Sequence, residues 1–166
     1  MEVQNNNFAW LYKPVAEFLI REAAGKAPLE TGGILMGYFS HHRSLPVILR
    51  ATGPGPRAVH QWNYYQPDTW FDESEIATIY IESGRHIIYL GDWHTHLTSF
   101  GGLSYRDRRT LQRIARCKSA RVKTPLMLIL SFNEQWDITI WQGEVHKRYI
   151  WNKHLSITKL TTRLFI

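Results

Sequence analysis

Cysteine is nearly missing: Cys117 stands alone among 166 residues. That excludes a disulfide framework, a paired-cysteine zinc site and an iron–sulfur cluster. Any metal held by this chain must therefore sit on histidine and carboxylate. Long apolar runs are missing as well. The longest wholly aliphatic stretch, Leu126 to Leu130, falls far short of the roughly 20 residues that a bilayer-spanning helix needs. No membrane partner is expected. The opening MEVQNNNF carries an acid and no apolar run, unlike a signal or transit peptide, so a cytoplasmic location is the expectation. Repeats, low-complexity tracts and linkers are also lacking, and residues 1–166 read as a single domain. Aromatics, by contrast, are plentiful, with 7 Trp, 8 Tyr and 7 Phe, which argues against disorder.

Charge is present but uneven. The net charge of +6 is a weak pointer to acidic partners or nucleic acid. From Arg106 to Lys123, eight basic residues face Asp107 alone, so the rest of the chain is slightly acidic. Arg106, Arg109, Arg113 and Arg116 recur every three or four residues and share one helical face, with Leu111 and Ile114 turned inward.

Periodicity predicts a first helix with Pro14 in its first turn and Gly25 at its end, residues 8–12 leading in. Ile34–Phe39 and Pro46–Thr52 read as neighbouring strands, and GPGP at 53–56 forces a turn. A second helix is predicted from Asp72 to Gly84, with Ile76, Ile79 and Tyr80 on one side. His86–His96 reads as a buried strand and Ser104–Cys117 as a third helix. Leu126–Phe132 and Trp136–Gly143 follow as strands around an Asn-containing turn, with Glu144–Trp151 as a third. The expectation is an α/β protein with a mixed central sheet flanked by helices.

The stretch GDWHTHLTSFGGLSYRD, residues 91–107, carries the chemistry. Alternate residues of a strand share a face, so His94 and His96 point the same way and form a chelating edge. After seven intervening residues from His96, Ser104 and Asp107 open a helix. A carboxylate in that first turn can complete a His2Asp site and leave a fourth position for water. Ser-x-x-Asp is also an ordinary capping signature, with Ser104 as cap and Asp107 three residues in. The adjacent His41 and His42 read as an exposed loop.

At these residues the chain resembles the JAB/JAMM family, the zinc isopeptidases of the MPN (cytidine-deaminase-like) fold. That signature is a Glu near an early strand, then His-x-His-Pro, seven residues, and Ser-x-x-Asp. Glu30 in LETGGILMGYF, His94, His96, Ser104 and Asp107 match it. GPGPRA at 53–58, QPDTWFDES at 66–74 and YLGDWHTH at 89–96 look like the bacterial JAB peptidases encoded beside ubiquitin-type activating and conjugating enzymes, the antiphage CBASS operons among them. One departure is Leu97, where the family usually has Pro; it relaxes the loop's φ restriction and removes no ligand.

The resemblance implies one zinc per chain on His94, His96 and Asp107, with Glu30 as general base and Ser104 as oxyanion donor. It implies a substrate that is a ubiquitin-like modifier ending in glycine, or a protein conjugated by such a system, for example a CBASS nucleotidyltransferase. Asp92 rivals Glu30, since it shares the strand face of the two histidines and could instead support a ligating imidazole. Two other functions compete. A non-catalytic MPN scaffold would organise a complex, but such members generally lack the ligands that are filled here. A nucleic-acid-binding metal domain would use the basic helix, yet no recognised motif supports it and nucleic acid is not an expected partner.

Overall fold

The computed structural model describes residues 7–41, 44–97, 101–149 and 152–166. Strands β1 (Phe8–Tyr12), β2 (Gly32–Phe39), β3 (Pro46–Ala51), β6 (Ile88–His96), β7 (Leu126–Asn133), β8 (Gln135–Tyr149) and β9 (Asn152–Phe165) form one mixed sheet. Its order is β1-β3-β2-β6-β7-β8-β9, and parallel pairing of β9 with β1 closes it into a barrel. A short hairpin, β4 (Val59–Gln61) with β5 (Tyr64–Gln66), stands apart from it. The helices are α1 (Lys13–Lys26), α2 (Thr69–Glu82) and α3 (Tyr105–Arg116). Among the described residues, no helix is long and apolar enough to cross a membrane.

Two apolar layers explain the sequence pattern. One face of the sheet packs Leu35, Ile48, Leu90, Trp93 and Leu128 against Val15, Ala16, Leu19 and Ala23 of α1. On the other face, Met127 and Ile129 lie beneath Leu111 of α3, joined by Trp141, Leu155 and Ile157. Strand β7 is covered on both sides, so its sequence is a continuous run, LMLIL, without alternation. Each of these fully buried aliphatic side chains contributes about 1.5–3 kcal/mol. The side of α3 opposite its arginines is thus committed to the core: Leu111 and Ile114 are buried, as their spacing predicts.

Several elements differ from the sequence reading. Phe8–Tyr12 is not a lead-in to a helix but a strand, paired on both edges with β3 and β9. Pro14 and its neighbours start α1 only at Lys13, leaving the FAWLY segment free to extend. Helix α2 begins at Thr69, because Asp68 and not Asp72 is its cap: the Asp68 carboxylate accepts the Phe71 N–H. Asp72 falls inside the first turn. Residues 136–143 and 144–149 belong to one long strand, β8, whereas residues 150 and 151 of the expected third strand lie outside the described residues. Strand β9 and the β4–β5 hairpin were not predicted at all. His41 is exposed as expected, and His42 lies outside the described residues.

Candidate metal centre

Strand β6 presents the two histidines because of a bulge. Its pairing with β2 shifts at Leu90, where Gly91 adopts φ +150 and a Cβ would lie 2.0 Å from the Leu126 carbonyl oxygen. Only glycine fits there. Beyond the bulge, Trp93 and Thr95 point into the barrel, while Asp92, His94 and His96 share the opposite face. The Trp93 indole N–H donates to the Thr52 carbonyl at 2.9 Å, fixing the strand's rotation.

Glu30 comes to the same place through the sheet. Gly32 of β2 pairs with His94, so the residues just before it lie beside His96. Thr95 holds that segment: its Oγ1 accepts the Thr31 N–H at 2.9 Å, and its own N–H donates to the Thr31 carbonyl at 2.9 Å. The hairpin secures the other side. Glu30 N–H donates to the Gln61 carbonyl at 2.8 Å, and the Glu30 carbonyl lies 2.8 Å from His60 Nδ1. Glu30 is 8% exposed. Burial raises its pKa, and the nearby His94 and His96 offset only part of that rise.

Asp107 arrives from the first turn of α3, and its two oxygens serve two ends. Oδ2 accepts the Ser104 backbone N–H at 2.6 Å while Ser104 Oγ accepts the Asp107 N–H at 3.2 Å, completing a capping box. Oδ1 lies 3.1 Å from His94 Nε2, and Oδ2 lies 3.3 Å from His96 Nε2. The two Nε2 atoms are 3.0 Å apart. The capping and ligating readings of Ser-x-x-Asp therefore coexist in one carboxylate. The Trp141 indole N–H, donating to the Gly101 carbonyl at 3.0 Å, anchors the approach to this turn.

Burial works against the Asp107 charge, but hydrogen bonds with His94, His96 and Ser104 outweigh it and hold the carboxyl well below the usual range. For His96, burial lowers the pKa and Asp107 and Glu30 more than reverse it. Two imidazole nitrogens at 3.0 Å cannot both present bare lone pairs to each other and to a carboxylate; a proton or a metal must lie between them. Two imidazoles and one carboxylate, with their donor atoms all within 4.8 Å, suit a divalent first-row metal. Asp92 is placed otherwise. Its carboxylate accepts the Tyr89 hydroxyl at 2.6 Å.

The centre opens onto a groove of about 1550 Å³. One wall is the hairpin and the start of α2, including Tyr64, Tyr65 and Asp72; the other is α3 with Arg106, Arg109, Arg113 and Arg116. The basic face thus borders the metal centre. Arg106 stacks over the Tyr64 ring at 5.2 Å and bridges the two walls. Tyr65 packs on Gly32, where a Cβ would meet its ring at 2.5 Å. Sequence reasoning missed Tyr65 and the siting of Asp72, since no spacing relates them to His94. Leu97 is half-buried, and residues 98–100 after it lie outside the described residues.

With that geometry in view, similarity to known proteins is informative. The chain is 34% identical over 154 residues to the probable metalloprotease y4qB of Sinorhizobium fredii, covering 92% of this chain and 93% of that protein. It belongs to the same family as that probable metalloprotease. Its fold is similar to the solution structure of protein DSY2949 from Desulfitobacterium hafniense, with a TM-score of 0.69 at 16% identity over 95% of this chain and 93% of that one. No family model matches the chain.

Proposed function

We propose that this chain is a zinc-dependent isopeptidase of the JAB type and MPN fold. It would hydrolyse the bond after the C-terminal glycine of a ubiquitin-like modifier, or of a protein conjugated by such a system, as in CBASS defence. The observation that carries the reading is the convergence of His94, His96 and Asp107 at donor separations of 3.0–3.3 Å, with Glu30 electrostatically coupled to all three. Tetrahedral zinc with bonds of about 2.0–2.1 Å requires separations of about 3.3 Å. The relationship to a probable metalloprotease supports peptide hydrolysis. The choice of a modifier's glycine tail rests on the signature residues.

When bound, zinc supplies Lewis acidity and lowers the pKa of a coordinated water to about 7. The chain's own groups do the rest. Glu30, buried and with a raised pKa, accepts the proton released as the carbonyl is attacked, then returns it to the leaving lysine amine. Ser104 Oγ accepts the Asp107 N–H, and its hydroxyl proton, which also serves the Asp107 carboxylate, would turn to donate to the developing oxyanion. His94, His96 and Asp107 hold the metal, and the capping box fixes the Asp107 rotamer.

The test compares Glu30→Gln with Asp107→Asn on a Gly-Gly isopeptide-linked lysine peptide and on a ubiquitin-like conjugate. Glu30→Gln should keep one zinc per chain and lose at least about a hundredfold in kcat. Asp107→Asn should lose metal as well. Near-wild-type turnover by Glu30→Gln would remove Glu30 as the base and make Asp92 the next candidate. Failure of zinc-loaded wild type to cleave either substrate would refute the isopeptidase reading.

A further inference from the structure

Three elements bring a second set of polar groups into the groove beside the metal centre. Asp72 comes from the first turn of α2, Tyr65 from β5, and Asp92 from the same face of β6 as His94. Asp72 is only 9% exposed, yet its Oδ1 is buried without a hydrogen-bond partner, and so is the Tyr65 hydroxyl. Both residues line the groove. Buried polar atoms in native proteins almost always find partners, and an unpartnered carboxylate oxygen is among the costliest to leave bare.

We propose that Asp72, Asp92 and the Tyr65 hydroxyl form a subsite for a lysine or arginine side chain of the substrate. The chemistry is complementary: the subsite offers buried acceptor oxygens at the wall of the groove and needs a cation with several donors. The charges acting most strongly on Asp72, from Asp92, Asp68 and Glu75, are all negative. Asp92 also faces Arg113 and His94, and the Tyr89 hydroxyl occupies its Oδ1. An incoming cation would therefore find its strongest partner in Asp72. Asp92 precedes His94 by two strand residues, about 7 Å along the strand. An extended substrate advances about 3.3–3.6 Å per residue, so for a substrate lying along β6 the basic residue would fall about two positions from the scissile bond.

The proposal rests on the peptidase reading for its substrate, but its binding arm does not. The zinc-loaded protein is titrated with n-butylguanidinium and n-butylammonium, with neutral n-butylurea as control, and followed by NMR. The cations should shift resonances of Asp72 and Tyr65, and Asp72→Asn should weaken binding at least about tenfold. In the cleavage arm, peptides carrying Lys or Arg are compared with norleucine or citrulline at each position around the scissile bond. One position should show at least about a tenfold kcat/KM preference for the basic residue, and that ratio should fall to near one in Asp72→Asn. Cation binding that depends on Asp72 without cleavage of any peptide would uphold the subsite and sink the peptidase. Cleavage without a basic preference, or equal cation binding by wild type and Asp72→Asn, would overturn the subsite.

Discussion

The Asp72 carboxylate sits in the fold at an energetic disadvantage. Burial first, and then the negative charges of Asp92, Asp68 and Glu75, raise its pKa from 3.8 to about 7. Because the folded value lies above the unfolded one, folding takes up a proton between them. The stability tied to this group is fully present below about pH 4 and is lost as pH rises to about 7. Asparagine mimics the protonated acid. Asp72→Asn should therefore stabilise the protein at pH 8 by about 1–3 kcal/mol, a rise of roughly 3–9 °C in Tm, and confer almost nothing at pH 4. Thermal melts of both proteins at the two pH values measure this. An equal shift at both would mean that ionisation of Asp72 is not the cause. Here the protein forgoes stability for a charge in the groove, as expected where a buried acid serves a ligand.

Strand β6 depends on one irregularity. Without the bulge at Leu90, Asp92, His94 and His96 would fall on the same side as Leu90, the face that packs against α1. Gly91 makes the bulge possible, with φ +150 and the Leu126 backbone 2.0 Å from where a Cβ would lie. Gly91→Ala should destabilise the protein by about 2–4 kcal/mol and cut zinc content per folded chain, because the β6–β7 pairing must open to admit the methyl. Denaturant unfolding with metal analysis checks both; a variant with normal stability and full zinc would show that the bulge is dispensable.

This scale also shows how far the sequence was legible. The helix at 104–117 could be read because its cap and its buried Leu111 and Ile114 are local signals. The His-x-His pair could be read because strand alternation is local too. By contrast, β9 turns Leu155 and Ile157 toward α3 and Leu160 toward the main core, so its apolar residues fall on both faces and no single-face alternation marks it in the sequence. Strand β1 is five residues whose partners lie more than thirty residues away, at Trp10–Val47 and Phe8–Thr161. The approach of Glu30 to His96 across the sheet was accessible only through the family signature, as no local pattern distinguishes that Glu from the others. Tyr65 and Asp72 had no signal of either kind.

At the scale of the whole molecule, the metal centre joins parts of the chain that are otherwise held by different cores. His94 and His96 belong to the barrel, whose main core packs against α1. Asp107 belongs to α3, which rests on the outer layer with Met127 and Ile129. A cation shared among them couples the outer layer to the barrel wall, and because the unfolded chain cannot assemble the site, binding adds to folding stability. A ligand at a thousand times its Kd contributes about 4.1 kcal/mol, which in a chain of this size raises Tm by roughly 8–16 °C. Chelation should lower Tm by about that amount and readdition of zinc should restore it. The His94→Ala/His96→Ala protein should melt at one temperature in zinc and in chelator alike. Glu30→Gln should respond to zinc as wild type does, since Glu30 is assigned to proton transfer and not to ligation. If chelation leaves the wild-type Tm unmoved while inductively coupled plasma analysis finds metal removed, the three donors do not couple barrel and helix. If Glu30→Gln loses the zinc response, Glu30 must be moved from base to ligand, and the division of labour in the groove changes with it.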